Sequence, residues 1–491
     1  MKFINYIKYK ENFVLARFLH RKGHLVQEFF SMFNRTGLSF RRMSLPSLGA
    51  AALAMTFLLV PGTALAEEDP SFLSQQNGDI IWTMLGAMLV MFMQPGFALV
   101  ECGLTRAKNA GNILMKNFVD FSVGTPLFFL IGFGLMFGAS NGFIGTPTFG
   151  MSFIDPTTPE GGWAWTFFFF QAMFAATSAT IVSGCIAERT DFKAYIMVSI
   201  LVSAFIYPIS GSWCWNSLFA DTKGWLENLG FIDFAGSAVV HSVGGWIGLA
   251  GAICVGPRIG KYSPDGKPLA IPGHNIPLVA LGVFILWFAW FGFNCGSITT
   301  PDGTVGYIAV NTCLSACTGF AASMLTIWFM TGKPDPSMAM NGVLAGLVGV
   351  TAGCFEVSPV GSIFIGIICG IVVVLSILFV DQKLHIDDPV GAVSVHGVCG
   401  FLGTVLVGLF AAPGYGSNVG LLYGGGFHLL LVQLLGAVSV GAWAFITGLC
   451  AFKLADKLIG LRVSREVELK GLDITEHGTD VYSGFQIFSN E

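Results

Sequence analysis

The sequence predicts an all-α integral membrane protein with eleven transmembrane helices, arranged as an inverted 5+5 repeat followed by a C-terminal helix. Two observations carry this prediction: an unusually apolar composition, and one motif that occurs twice at identical internal spacing. Of the 491 residues, 54% are hydrophobic and only 11% are charged, whereas soluble domains contain about 25% charged residues. The composition therefore excludes an ordinary soluble protein, and we expect membrane lipid, not nucleic acid, around the chain.

Eleven apolar stretches follow residue 66. A helix needs about 20 mostly apolar residues to cross a bilayer. The predicted spans are 80–102, 114–137, 163–186, 193–215, 234–256, 276–295, 306–330, 338–355, 358–380, 389–410 and 427–456. The last is long enough to continue past the membrane.

The N-terminal 66 residues have the pattern of an extension that ends in a secretory signal peptide. Arg41 and Arg42 precede a short apolar run, which ends in the small-residue box Ala64-Leu65-Ala66. A basic region, an apolar region and such a box define a signal peptide, so we predict cleavage after Ala66. The alternative is a retained signal anchor. The predicted organisation is 1–66 extension and signal peptide, 67–456 transmembrane domain and 457–491 cytoplasmic tail.

Basic residues in the connecting loops predict the orientation. Cytoplasmic loops of membrane proteins carry an excess of Lys and Arg. The loops that follow odd-numbered spans contain Arg106, Lys108, Arg189, Arg258, Lys261, Lys267, Lys333 and Lys383. The loops that follow even-numbered spans contain one basic residue, Lys223. We therefore expect the mature N-terminus outside and the C-terminal tail in the cytoplasm.

The repeated motif is D-x-x-G-x-x-x-V-H, at residues 233–241 and 388–396. Asp233 stands at the predicted outer end of the fifth span, and Asp388 at the predicted inner end of the tenth. Two five-span halves of opposite orientation form an inverted-topology repeat, which in many transporters encloses a site near the membrane midplane.

The acids and the histidines of the motif lead to different predictions. An Asp at the first turn of a helix caps backbone N–H groups, which is the expected structural role of Asp388; Asp233 either caps in the same way or attracts a cation from outside. On a regular helix each histidine would lie about 12 Å deeper than its Asp. His241 and His396 would then meet at the midplane, where polar residues usually line a pathway; the alternative is a pair of satisfied core histidines.

Aromatic residues cluster near the predicted outer ends of spans 3, 4 and 6. Phe174 follows Phe170 by one helical turn, Trp215 ends span 4, and Phe293 and Ser297 end span 6. Aromatic faces and a hydroxyl group suit a small bare cation. A packed core or an interfacial aromatic belt is the alternative.

The eleven cysteines show no CxxC pair and no Cys/His cluster with zinc spacing. We therefore expect no metal, no cofactor and no structural disulfide.

Five stretches, taken together, resemble the ammonium transporters of the Amt/Mep/Rh family, and its Amt branch in particular. They are DFAGSAVVH, CIAERTDFKAY, GFNCGS, DDPVGAVSVHGVCG and GLRVSREVELKGLDITEHG, in family order. The resemblance covers nearly all of residues 75–483. It implies a transporter or channel, not an enzyme, that takes up ammonium (with methylammonium as an analogue) through one pore in each subunit of a homotrimer.

The resemblance also implies roles for individual residues. Substrate recruitment falls to Trp215, Ser297, Phe174 and Asp233; the pore gate to Phe174 and Phe293; and the pore itself to the twin histidines, His241 and His396. It leaves open whether a proton accompanies the ammonia.

The tail and the surroundings are also predicted through the resemblance. Tails of this kind help to dock a PII-type nitrogen regulator, and a simply solvated tail is the alternative. The signal peptide and the tail together favour a bacterial plasma membrane. Three rival functions remain at this point: an ammonium sensor that signals through its tail, a redox enzyme with haem between the histidines, and a gas channel of the Rh branch.

Overall fold

The computed structural model describes residues 74–146, 149–151 and 154–482, and this part of the chain is built from helices. Ten helices are long and apolar enough to cross a membrane: α1 (Gln75–Leu104), α2 (Ala107–Phe137), α3 (Pro159–Cys185), α4 (Phe192–Leu218), α5 (Ser237–Val255), α6 (Ile276–Gly296), α7 (Thr304–Thr331), α9 (Pro359–Gln382), α10 (Val393–Phe410) and α11 (His428–Leu458). A shorter apolar helix, α8 (Pro336–Thr351), lies between α7 and α9. Two short helices, α12 (Arg465–Lys470) and α13 (Leu472–His477), form the tail, and one helical turn, Trp225–Asn228, interrupts the connection from α4 to α5.

The predicted all-helical membrane fold is confirmed, because each helix from α1 to α11 overlaps one predicted stretch. The count of eleven spans stays a prediction. α8 has 16 residues, fewer than the about 20 needed to cross a bilayer. The predicted signal peptide at 1–66 lies outside the described residues.

α8 stops short because the loop before α5 satisfies its last backbone groups. The N–H groups of Phe234 and Ala235 donate to the carbonyls of Ala352 and Thr351 at 3.0 and 3.2 Å. Ser237 Oγ accepts from the N–H of Ala352 at 2.6 Å. In a membrane, irregular backbone is tolerated only where protein satisfies it or where it lines a cavity. A helix that ends inside the protein is also a frequent marker of a transport site.

The packing follows the inverted repeat. Equivalent helices of the two halves pair with each other, α1 with α6 and α5 with α10, while α3 packs on α5 and α8 on α10. This is the pattern that a pseudo-two-fold axis in the membrane plane produces. In α3, 94% of the most apolar stretch is buried, against 33% in α7, so α3 is central and α7 is peripheral.

Both copies of the repeated motif fold alike, but not as the regular helix that the sequence predicted from Asp to His. Gly236 and Gly391 have φ angles of 115° and 79°, a conformation that glycine adopts without a steric cost. Each glycine separates the capping acid from a turn of π-helix, Ser237–Ser242 in α5 and Val393–Val398 in α10. The prediction of a regular helix from each Asp to its His is therefore wrong, although the two histidines do meet.

Candidate functional site

A cavity of about 230 Å³, called the outer cavity after the predicted orientation, opens on one side of the histidine pair. Its walls include Phe174, Trp215, Asp233 and Ser297, which lie far apart in the sequence. Trp215 is held by a hydrogen bond of 2.6 Å from Nε1 to the carbonyl of Asp233, and its ring meets Phe174 edge-on with 6.2 Å between centroids. The fold thus brings all four predicted recruitment residues to one cavity.

Ser297 is oriented as an acceptor. Its Oγ donates to the carbonyl of Phe293, one turn earlier in α6, at 2.8 Å. Because a hydroxyl has one proton and two lone pairs, this bond leaves the lone pairs of Ser297 available to a donor in the cavity.

Backbone N–H groups bind both oxygens of the Asp233 carboxylate. Its two oxygens accept N–H groups from Gly236, Ser237, Ala238 and Val239 at 2.8–3.0 Å. This is an N-cap with four donors, where an ordinary cap takes one. Asp388 caps α10 similarly, with N–H bonds from Val390, Gly391 and Val393.

Two stacked phenyl rings close the floor of the outer cavity. Phe174 and Phe293 lie with their centroids 4.0 Å apart and their planes inclined by 22°. Both side chains are almost completely buried. No solute passes between rings at van der Waals contact, so this arrangement is closed and requires a ring rotation to open.

The two motif histidines meet directly below these rings. His241 and His396 are buried, and their Nδ1 atoms lie 3.3 Å apart. A hydrogen bond between two Nδ1 atoms needs a proton on one and a lone pair on the other, so the pair shares one proton. His241 also stacks on Trp290, at 4.8 Å between centroids, and its Nε2 has no hydrogen-bond partner among the described residues.

Trp290 is a site residue that the sequence analysis missed. Its Nε1 donates to Thr351 Oγ1 at 2.8 Å, which fixes the indole against the His241 ring. The signal in the sequence that could have identified Trp290 is its position three residues before Phe293, on the same face of α6.

Gly245 allows the two histidine helices to touch. A Cβ atom at this position would lie 2.1 Å from the Gly397 backbone nitrogen and 2.9 Å from the His396 carbonyl carbon. Gly245 follows His241 by four residues, and Gly400 follows His396 by four and makes a similar approach to the Ser237 carbonyl. The close crossing, and with it the histidine contact, depends on both glycines.

Gly245→Ala is expected to destabilise the folded protein by about 1–3 kcal/mol, because the methyl group meets backbone that has no room to yield. Thermal unfolding of the purified variant in detergent measures this effect. Gly306→Ala is the matched control, since a Cβ there meets nothing within 4 Å. Equal stability of the two variants would contradict a backbone contact at Gly245.

Two further cavities continue below the histidines. A small one of about 20 Å³ is lined by His396, Phe97, Glu101 and Asn341. A larger one of about 490 Å³ is lined by charged and polar groups that include Asp388. The described part of the protein therefore holds a series of cavities interrupted at the phenyl rings and around the histidine pair.

An ion-pair cluster joins the ends of α3 and α5 to the start of α10. Arg258 donates from Nη1 to Glu188 at 2.8 Å, and from Nε and Nη2 to the two oxygens of Asp387 at 2.8 and 2.9 Å. Burial acts to raise the pKa of Asp387, but the hydrogen bonds and charge of Arg258, together with Arg189, outweigh it and hold the pKa at about 2.

The tail packs on this side of the molecule, contrary to the alternative of a solvated tail. Glu468 of α12 accepts the N–H of Ile259 and a bond from Arg462, both at 2.7 Å. Asp473 of α13 accepts the N–H of Asn112 at 2.8 Å. The tail is therefore in contact with the segment that follows α5 and with the first turns of α2.

A membrane protein whose two inverted halves enclose an apolar constriction between polar cavities belongs to the class of channels and transporters for small solutes. The model of the Ammonium Transporter Family matches residues 81–482, and the chain belongs to this family.

Similar proteins span nearly the same length. Ammonium transporter Amt2 of Archaeoglobus fulgidus is 44% identical over 448 residues, which cover 87% of this chain and 94% of that protein. A putative ammonium transporter of Synechocystis sp. is 42% identical over 442 residues, with coverage of 87% and 94%. Among solved structures, the Sensor Amt Protein is 42% identical with a TM-score of 0.78, covering 82% of this chain and 98% of that one. Candida albicans Mep2 is 29% identical with a TM-score of 0.72, covering 79% and 86%.

Proposed function

We propose that this multi-pass membrane protein takes up ammonium through a pore within each subunit, with ammonia as the species that crosses the narrow part. Membership of the ammonium transporter family and the names of the relatives support ammonium as the substrate. The single observation that carries the route is the stacked phenyl pair directly above a histidine pair that shares one proton.

Recruitment is proposed at the outer cavity. Trp215 and Phe174 offer aromatic faces, which attract a bare cation. Ser297 offers the lone pairs that its bond to Phe293 leaves free. Ammonium differs from potassium by its N–H donors, so a hydroxyl acceptor favours ammonium by a bond that potassium cannot form. Asp233 contributes by holding Trp215 through its carbonyl and by its negative charge.

Deprotonation is proposed at the gate formed by Phe174 and Phe293. An unpaired cation in an apolar, waterless passage is strongly disfavoured, whereas ammonia has the size and polarity of water. Below the gate, the free Nε2 of His241 is a hydrogen-bond partner for the ammonia that arrives. The histidine pair conducts ammonia along its ring edges and, by exchange of the shared proton, offers a path for a proton. Asp388 has a structural role, as the cap of α10.

The proposal extends to domain organisation, orientation, assembly and partners. The sequence supports residues 1–66 as a cleaved extension, 67–456 as the transmembrane domain and 457–491 as a cytoplasmic tail. The loop charges support an outside N-terminus, in a bacterial plasma membrane. Family membership supports a homotrimer, and the docked tail offers a surface for a PII-type regulator.

Purified protein in proteoliposomes tests this function. Ammonium pulses are expected to produce a current if a proton accompanies the ammonia and to raise the lumenal pH if none does, and equal potassium pulses to produce neither. Binding of ammonium without any flux would overturn transport in favour of a sensor, and a Soret band in the purified protein would favour the redox enzyme.

Trp215→Leu is expected to weaken the discrimination between ammonium and larger amines about tenfold, because the indole wall and its cation–π attraction are both lost. The ratio of methylammonium to ammonium flux measures the change. Trp443→Leu is the control, since Trp443 packs on Trp213 and does not line the outer cavity. An unchanged ratio in a folded Trp215→Leu protein would remove this residue from the recruitment site.

A further inference from the structure

A buried carboxyl group lies beside the pore, at a place that the route described above does not use. Glu101 of α1 is 2% exposed. It shares the cavity of about 20 Å³ with His396 and Asn341. A cavity of this volume holds one water-sized molecule, and ammonia is of that size.

The hydrogen bonds of Glu101 are incomplete. Its Oε1 has no partner within the described part of the chain, and its Oε2 has one long contact, 3.4 Å from Asn117 Nδ2. The Ser183 hydroxyl also acts on the carboxyl group, but it forms no close hydrogen bond. Buried polar atoms in native proteins are nearly always paired. An unpaired carboxyl oxygen that lines a small cavity is therefore placed to bind what the cavity contains.

Burial favours a neutral Glu101, because a carboxylate at this place has no close hydrogen-bond donor. Lys116 and Asp120 are the charged groups that act on it, and both are buried. Asp120 accepts hydroxyl bonds from Tyr195 and Ser199, which stabilise its charge. One buried cation cannot neutralise two buried carboxylates. Of the two, Glu101 has the poorer set of donors, so it is the group that gains most from a proton.

We propose that Glu101 is the residue that returns a proton to ammonia at the inner end of the narrow pore, and that ammonium forms again in the cavity between Glu101 and His396. This inference rests on the proposed function and adds an inner binding site to it. It also commits the transporter to moving one proton with each ammonia.

The proton released from ammonium at the gate reaches the histidine pair and passes from His396, through one water molecule in the small cavity, to Glu101 Oε1. Ammonia that enters the cavity then takes it: the O–H bond of Glu101 breaks while a fourth N–H bond forms. The carboxylate left behind faces the Lys116 charge. Ammonium leaves toward the larger cavity, which is lined by Asp335, Asp381 and Asp388 together with Arg258 and Lys261.

Glu101→Gln tests the proposal, because the amide keeps the shape and the contact with Asn117 but cannot deliver a proton. Current and the amount of ammonium nitrogen taken up are recorded on the same proteoliposomes after an ammonium pulse. The ratio of charge moved to ammonia moved is expected to fall at least tenfold. Glu101→Asp, which retains a carboxyl group, is expected to recover part of the ratio.

Glu356→Gln is the matched control. Glu356 is also a buried carboxyl group, 5% exposed, but backbone N–H groups of Ser417 and Asn418 bind it, and it lines none of the three cavities. Its charge-to-ammonia ratio is expected to equal that of the unaltered protein.

The outcomes separate this proposal from the proposed function. No ammonium flux in the unaltered protein would overturn both. Flux without current in the unaltered protein, or an unchanged ratio in Glu101→Gln, would overturn only the role of Glu101. If Glu101→Gln does not fold, infrared difference spectra of the unaltered protein decide: ammonium should remove the band of a protonated glutamate, and the absence of that band before and after ammonium would overturn the proposal.

Discussion

Replacing Arg258 with methionine is expected to lower the free energy of unfolding by about 3–5 kcal/mol. The side chain of Arg258 is 3% exposed, and those of its partners Glu188 and Asp387 are 0% and 1% exposed. Methionine fills a similar volume, but it takes from Asp387 the arginine that binds both of its oxygens and leaves Glu188 with Arg106 alone. Removal of one member of a buried ion pair is costly because the remaining charge keeps its desolvation penalty and loses the attraction that offset it.

Denaturant or thermal unfolding of the purified variant in detergent measures this loss. Lys267→Met is the matched control, because Lys267 pairs with Asp265 at 3.0 Å while their side chains are 79% and 59% exposed. An exposed pair contributes about 0–1 kcal/mol. A loss at Arg258 no larger than that at Lys267 would mean that the cluster is hydrated or that its carboxylates take up protons.

The same cluster connects the pore to the tail. Arg258 follows the helix that carries His241, and Asp387 lies next to the cap of the helix that carries His396. Glu468 of the tail binds the N–H of Ile259, the residue after Arg258. A movement of α12 would therefore act first on the cluster that holds the inner ends of both histidine helices. This is the physical contact through which a tail could influence conduction.

The sequence was a good guide wherever the signal was local or repeated. Apolar stretches of sufficient length located every long helix, and the spacing of two identical motifs brought His241 and His396 together. Phe174, Trp215 and Ser297, which the sequence places near the predicted outer ends of three spans, line one cavity. Each of these features can be seen in a short window of sequence.

Features that depend on distant partners could not be predicted. α8 ends where it does because Ser237, which lies more than 100 residues earlier, binds its last turn. Glu101 stands in an apolar stretch with no motif, and only the fold places it beside His396. The π-helical turns were missed because a glycine at positive φ and a capping acid are compatible with either a regular or a widened first turn. Contacts across the repeat decide between them.

His241→Ala is expected to lower the ratio of ammonium to potassium current at least tenfold in a protein that still folds. Loss of the imidazole removes one half of the shared-proton pair, and proton transfer by a positioned group contributes about 10²–10⁴-fold in rate. It also empties the space between Trp290 and Phe293, against which the ring now packs. Water that enters this space would lower the barrier that excludes bare cations.

Current recordings on proteoliposomes, with ammonium and potassium pulses of equal size, measure the ratio. His428→Ala is the matched control, because His428 is exposed at the start of α11 and lines none of the three cavities. The two effects of the substitution change different currents: loss of proton transfer lowers the ammonium current, and entry of water raises the potassium current. A fall in ammonium current alone would assign His241 mainly to proton transfer, whereas a rise in potassium current alone would assign it mainly to keeping the passage dry. Normal values of both in a folded His241→Ala protein would show that the pair lies outside the conduction route, and the pore would then have to be sought elsewhere in the helix bundle.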